Sequence, residues 1–462
     1  MTKSGLIYAG AALSAASIFL LEMQDVSSQT FQSSFRARDP GVRGGDPGAG
    51  GPIAGLTPME QAFFDRGRED FIEEERVRDG LGPRMNLDSC GGCHSQPAIG
   101  GTSPAVNPQV AFASKAGGTD FVPPFVFIDG PIREARFVRN PDGTPDGGVH
   151  ALFTVTGWFG AGGCTLAQPD FAAQMAKRNV IFRTPTPVFG AGLIEQIPDS
   201  AILANLEANT GVKRNLGIRG RPNFTVAGRT SSGQVNRNGN DGTITRFGWK
   251  AQNVSLLLFS GEAYNVEMGI TNEMFQNERD QTPECQFAMV PNDTQNFDAP
   301  NALTGSTAIQ NFANFQRFLA PPTPSPDTPG GVASIDRGRN LFGNVGCTLC
   351  HTPTLRTASN SLVVALRDRP VNLYSDLLVH DMGTGLADGV TQGSAGPREF
   401  RSAPLWGLGQ RIFFLHDGRT SDLVEAIQQH RSDGSEANGV VRRYNDLREN
   451  QKQDLLNFLR SL

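Results

Sequence analysis

Two Cys-x-x-Cys-His pentapeptides constrain this chain more than any other feature in it. They are Cys90-Gly91-Gly92-Cys93-His94 and Cys347-Thr348-Leu349-Cys350-His351, and they stand 257 residues apart. Two intervening residues set both thiols at the spacing of the porphyrin vinyl groups, and the adjacent imidazole turns beneath the metal. Each pentapeptide therefore predicts one covalently attached haem c. On this reading Cys90, Cys93, Cys347 and Cys350 are attachment thiols, and His94 and His351 are iron ligands. The alternatives are a four-thiolate zinc site or redox dithiols. Neither accounts for a histidine directly after each pair.

The rest of the sequence fits an exported two-haem protein. Lys3 precedes an apolar stretch from Leu6 to Leu21, and Val26-Ser27-Ser28 offers small residues for cleavage, so residues 1–28 are read as a signal peptide. The stretch is short for a membrane span, so none is expected in the mature chain. Haem c is attached outside the bacterial cytoplasm, which makes the expected location periplasmic. A net charge of −5 argues against nucleic acid as a partner. Lysine is scarce, and some of the arginines are candidates for pairing with haem propionates. Four of the six cysteines belong to the two motifs; Cys164 and Cys285 remain, and in an oxidising compartment a disulfide between them is expected. Two unrelated buried thiols are the alternative.

A partial repeat sets the organisation. Asp65-Arg66-Gly67-Arg68 with Phe71 precedes the first motif, and Asp336-Arg337-Gly338-Arg339 with Phe342 precedes the second. In cytochrome c folds a helix ending near such a phenylalanine packs over the attachment segment. The expected fold is mainly α: two tandem cytochrome c-type haem domains, the first with a long insertion carrying short β-strands. Residues 29–55, rich in Gly and Pro, are expected to be a flexible arm, with Asp39 to Gly55 as its core. The N-terminal haem domain is assigned to 56–320, with its insertion over about 120–250. A Pro-rich linker follows at 321–331 and a C-terminal haem domain at 332–462. Phe125–Ile128 and Leu152–Val155 read as strands and Pro141-Asp142-Gly143 as a turn. Helices are expected at Ser200–Ala208, Gly261–Glu267, Asn311–Leu319, Thr420–His430 and Glu449–Leu462.

Several longer segments then carry a resemblance. Gly80-Leu81-Gly82-Pro83 leading into the first motif, Gly192–Asp199 (GLIEQIPD), Gly220–Asn223 (GRPN), Arg246–Ala251 (RFGWKA) and Glu267–Thr271 (EMGIT) are five of them. Tyr374–Gly383, Ala403–Gly409 (APLWGLG) and His416–Arg419 (HDGR) extend the pattern. Over roughly 56–462 the chain resembles the bacterial di-haem oxidoreductases of peroxidase type. More distantly it is similar to the dihaem cytochrome c peroxidases and to the dihaem enzyme that matures methylamine dehydrogenase. The resemblance implies two c-type haems and redox chemistry, and it allows a calcium ion between the modules. It also implies a periplasmic electron donor or acceptor such as a small cytochrome, a cupredoxin or a quinol-linked protein, with hydrogen peroxide as candidate substrate.

Site residues are carried over position by position. In dihaem peroxidases a distal methionine follows the turn histidine by fourteen residues; here His416 opens the segment and the fourteenth residue is His430. His430 is therefore assigned as second ligand opposite His351, with His380 and Met382 as runners-up. In the peroxidases a catalytic glutamate follows a glycine by six residues; Gly261 leads to Glu267, while the peroxidases' neighbouring Gln and Trp positions hold Leu257 and Phe259. Glu267 is thus the candidate base at the first haem. Met268 is the competing reading, as a sixth ligand that closes the site, and Glu195 is a further carboxylate without an assigned role. His150 is the only histidine between the two motifs. Two functions stay open: a peroxidase-like oxidoreductase, or an electron carrier with both irons six-coordinate. A thiol oxidoreductase has no spare reactive cysteine pair to support it.

Overall fold

Helix α1 (Pro58–Ile72) starts where its sequence says it should. Pro58 occupies the first turn, the Thr57 hydroxyl accepts from the Glu60 amide, and the Glu60 carboxylate accepts from the Thr57 amide at 2.7 Å. Its buried residues Phe64, Gly67, Asp70 and Phe71 fall on one face. The structure, a computed structural model, describes residues 35–224, 244–288 and 291–462. Residues Ala37–Leu462 form one unit; of the N-terminal unit, Met1–Arg36, only Phe35 and Arg36 are described. The expected signal peptide lies outside the described residues.

The unit is mainly α, with short antiparallel strand pairs. Around the first motif, α1 packs against α3 (Ala308–Phe318), which in turn packs against α2 (Leu256–Met268). Around the second, α4 (Val332–Val345) packs against α7 (Glu449–Ser461), with α5 (Leu423–Gln429) and α6 (Asn438–Asn445) preceding α7 in the chain. The two strand pairs that matter here are β1 (Glu134–Phe137) with β2 (Val180–Arg183), and β3 (Val379–Asp381) with β4 (Glu399–Arg401).

The repeat has a steric basis in both helix pairs. A Cβ on Gly67 would lie 2.2 Å from the Asn311 carbonyl oxygen on α3, and one on Gly338 would lie 2.0 Å from the Asp454 carbonyl oxygen on α7. Each glycine lets two backbones cross without a side chain between them. Four residues on, Phe71 and Phe342 are buried, with ring centroids 5.9 Å from His94 and 6.4 Å from His351. Gly338→Ala is expected to destabilise the protein by about 3 kcal/mol, because the methyl meets backbone that cannot swing aside. Chemical denaturation of the haem-loaded protein checks this, and an unchanged midpoint contradicts the packing argument.

Elsewhere, expectation and structure agree in part. Helices occur at all five positions read from periodicity. Phe153–Thr154 is a strand, paired with Arg84–Met85, and Asn140 accepts from the Gly143 amide to close the turn. Phe125–Ile128 is not a strand: it follows Pro123-Pro124, lies in turns, and buries Phe125 against Phe171 and Phe182 at 5.3 and 4.6 Å. Prolines remove the ladder donors, and packing takes the apolar residues. Within Ala37–Gly55, part of the run read as an arm, several backbone groups bond residues far along the chain. Arg43 N donates to Gly409 O, Ile53 N to Phe318 O, and Gly48 and Gly51 accept from Thr323 and Ala320. Asp39 is ion-paired with Arg460 at 2.6 Å. Cys164 and Cys285 form a disulfide, with Cα atoms 4.8 Å apart. No described helix is long and apolar enough to cross a membrane.

Candidate functional site

Each Cys-x-x-Cys-His segment is a single tight turn at the wall of a cavity. Cys90–Cys93 forms one helical turn, and a Cβ on Gly92 would lie 2.4 Å from Leu87 Cδ2, so a side chain there would have to displace the leucine. Cys347–Leu349 is a 3₁₀ turn entered from Gly346 in the left-handed region, at φ 101°. The four thiols are unbridged, and burial pushes Cys90 and Cys347 up to about 12. Burial thus favours the protonated thiol at these two positions.

The two motif histidines are oriented alike. His94 Nδ1 lies 2.9 Å from Gly101 O, and His351 Nδ1 lies 2.9 Å from Tyr374 O. A ring that donates from Nδ1 to a carbonyl keeps the tautomer whose Nε2 lone pair is free for a metal. Burial lowers both imidazole pKa values, that of His351 to about 4, which keeps the rings neutral. Two thiols and a neutral imidazole with a free Nε2, beside an enclosed cavity, are the donor set that haem c needs, so the residues present fit the group at both motifs.

The second cavity, about 220 Å³, also takes in His430, Met382 and His416. His430 sits at the C-terminal cap of α5, and its Nδ1 lies 2.8 Å from Ala426 O, the arrangement seen at the two motif histidines. His380 is engaged on both nitrogens, by Asp376 at 3.0 Å and Glu436 at 2.9 Å, which removes it as a free ligand. His416, which the sequence places only at the start of the turn, stacks its ring on Phe400 at 4.3 Å. Burial lowers its pKa to about 4.

The first cavity, about 150 Å³, holds His94 with Glu134, Glu267, Met268 and Arg136. Glu267, on α2, accepts from Asn86 Nδ2 at 2.6 Å. Burial, and then the neighbouring Glu134 carboxylate, raise its pKa well above the usual range, whereas Arg136 draws the Glu134 pKa down. Of the two, Glu267 is the one that holds a proton more readily. Glu134 and Arg136 are two apart on β1 and so share a face. His150 faces elsewhere, stacked on Phe137 and bonded to Asp146 at 2.8 Å. Glu195 is structural: it accepts from the Leu256 amide at the start of α2 and pairs with Arg317 at 3.0 Å.

One residue lines both cavities near their charged walls. Trp249, within the RFGWKA segment, donates from Nε1 to Thr184 O at 2.8 Å. Among the described residues no cluster of three or more His, Cys, Asp or Glu side chains is placed to hold a metal ion.

A family model described as "Di-haem oxidoreductase, putative peroxidase" matches residues 135–462, a range that begins after the first motif. No curated protein matches. Among solved structures, hydrazine synthase of Kuenenia stuttgartiensis is 18% identical over 35% of this chain and 56% of its own, with a TM-score of 0.23. A MauG-like protein associated with microbial copper homeostasis is 20% identical over 36% of this chain and 55% of its own, with a TM-score of 0.25. The chain thus spans little more than half the length of either.

Proposed function

The chain belongs to the di-haem oxidoreductase family, its match running over residues 135–462, and from that premise we propose an exported di-haem oxidoreductase of peroxidase type. Cys90 and Cys93 would attach one haem c, with His94 as an iron ligand, and Cys347 and Cys350 a second, with His351 and His430 as its ligands. The bound haems supply one-electron redox chemistry. The observation that carries the reading is an asymmetry between the cavities. One offers a second imidazole to its motif histidine; the other offers a buried carboxylic acid.

What the chain's own residues do follows from that asymmetry. Glu267, held by Asn86, in its ionised form takes a proton from one oxygen of a peroxide in the first cavity and returns it to the other, and the neighbouring Glu134 charge strengthens its hold on that proton in between. Arg136 keeps Glu134 ionised, so the pair exchanges one proton without losing it. Trp249, walling both cavities, bridges them with an aromatic ring. Electrons would come from a periplasmic donor: a small cytochrome, a cupredoxin or a quinol-linked protein. The assignment of two haem domains, at 56–320 and 332–462, belongs to this proposal, with 321–331 as the segment between them.

A second reading rests on Met268, whose side chain shares the first cavity with His94. A thioether bound there closes the site and makes the protein an electron carrier. Electron paramagnetic resonance of the ferric, fully loaded protein separates the two. A high-spin signal altered by peroxide is expected; two low-spin signals that persist on partial reduction would establish the carrier.

A further inference from the structure

Five arginines are buried among the described residues: Arg183, Arg246, Arg401, Arg411 and Arg460. Three have a carboxylate partner. Arg183 pairs with Asp388 at 2.8 Å, Arg460 with Asp39 at 2.6 Å, and Arg246 with Asp199. Buried Lys250 shares Asp388 at 3.1 Å. Arg401 and Arg411 have none. Arg401 donates from Nη1 to Arg246 O at 3.1 Å, and its Nε has no partner; Arg411 donates from Nε to Phe413 O at 2.8 Å, and its Nη2 has no partner. They are only 9% and 8% exposed, and what exposure they keep is small for guanidinium groups that carry a full charge.

A buried cation without a counter-charge is costly, and carbonyl dipoles offset only part of that cost. Burial alone draws both arginines down to about 10, with no carboxylate opposing it. Both line the second cavity, and both are tied to Trp249. The Arg401 amide donates to Trp249 O at 2.9 Å, and the Arg411 guanidinium lies 5.6 Å from the Trp249 ring centroid. Two uncompensated guanidinium groups therefore mark one wall of the cavity that holds His351 and His430.

We infer that Arg401 and Arg411 are the counter-ions for the two propionate carboxylates of the haem attached at Cys347 and Cys350, which places that haem's propionate edge against Trp249. The inference rests on the two-haem reading above. It assigns a place for the anions that this wall lacks, and it orients the cofactor edge toward the residue shared with the first cavity. A guanidinium forks across a carboxylate, so each arginine suits one propionate.

The test uses the fully loaded protein and the variants R401Q, R411Q and the double variant, beside R401K and R411K. Haem content per motif is measured first. Absence of haem from the second motif of the wild type overturns the two-haem reading itself. With haem present, each glutamine variant is expected to lower the second haem's ferrous-to-ferric ratio at fixed potential about tenfold, or about 59 mV for a one-electron couple. Where the propionate takes up a proton instead, its bending band in the resonance Raman spectrum shifts. The lysine variants keep the charge and the potential but lose the fork, so their propionate band moves while the potential holds. Loss of haem from the double variant that lysine restores also supports the assignment. An unchanged potential together with an unchanged propionate band, in either glutamine or lysine variants, overturns it. So does an equal shift in potential in the glutamine and lysine variants, which would mean that only structure was disturbed.

Discussion

Replacing Glu267 with glutamine is expected to lower peroxide turnover by about 10²–10⁴-fold, the usual contribution of a positioned acid or base, while haem content and the resting spectrum stay as they are. Glutamine keeps the size of the side chain and can still bond Asn86, so the cavity shape is preserved; only the transferable proton is lost. The pH profile gives a second readout. Glu267 is held protonated by burial and by Glu134, so its pKa lies above the ordinary carboxyl range. A base becomes competent as pH rises through its pKa, so the acid limb of kcat/KM should lie above that range. Glu134→Gln removes the neighbouring negative charge. Glu267 then ionises more easily, and the limb moves to lower pH. Turnover unaltered in E267Q takes the residue out of the mechanism, and an acid limb that stays in place in E134Q breaks the coupling between the two carboxyls.

The parts of this site that could be read from the sequence are those whose partners lie close by in the chain. Cys-x-x-Cys-His sets its own turn, and Phe71 and Phe342 follow their glycines by one helical turn, so the motif histidines and the helices above them were legible. His430 follows from a short offset running from the His416 turn into α5. Glu134 was missed because its partner Glu267 is brought to it from α2, far along the chain. Trp249 was visible within a shared segment, but its position between two cavities depends on the whole unit. The bonds of the Gly/Pro-rich run were illegible for a related reason. Its composition suggested disorder, yet its backbone amides and carbonyls find partners on residues hundreds of positions away, among them Gly409. Composition reports what a segment can do alone; it does not report a groove waiting elsewhere in the fold.

The second large effect is expected at His430. His430→Ala should convert the second haem from low-spin to high-spin, because it removes the imidazole opposite His351 and leaves a methyl group that cannot ligate. The geometry favours His430 over its rivals. Its Nδ1 is taken by the Ala426 carbonyl, leaving Nε2 free, whereas both His380 nitrogens are engaged by carboxylates. His430→Met supplies a finer test. A thioether stabilises ferrous iron better than an imidazole does, so this variant should stay low-spin while its reduction potential rises. That pair of outcomes separates ligation from packing, since a cavity disturbed by the mutation has no reason to raise the potential while keeping a strong-field spectrum. A spectrum unchanged in His430→Ala would pass the role to Met382 or His416, the other ligand-capable side chains on the same wall. It would also leave the fourteen-residue offset from His416 as a coincidence of helix length.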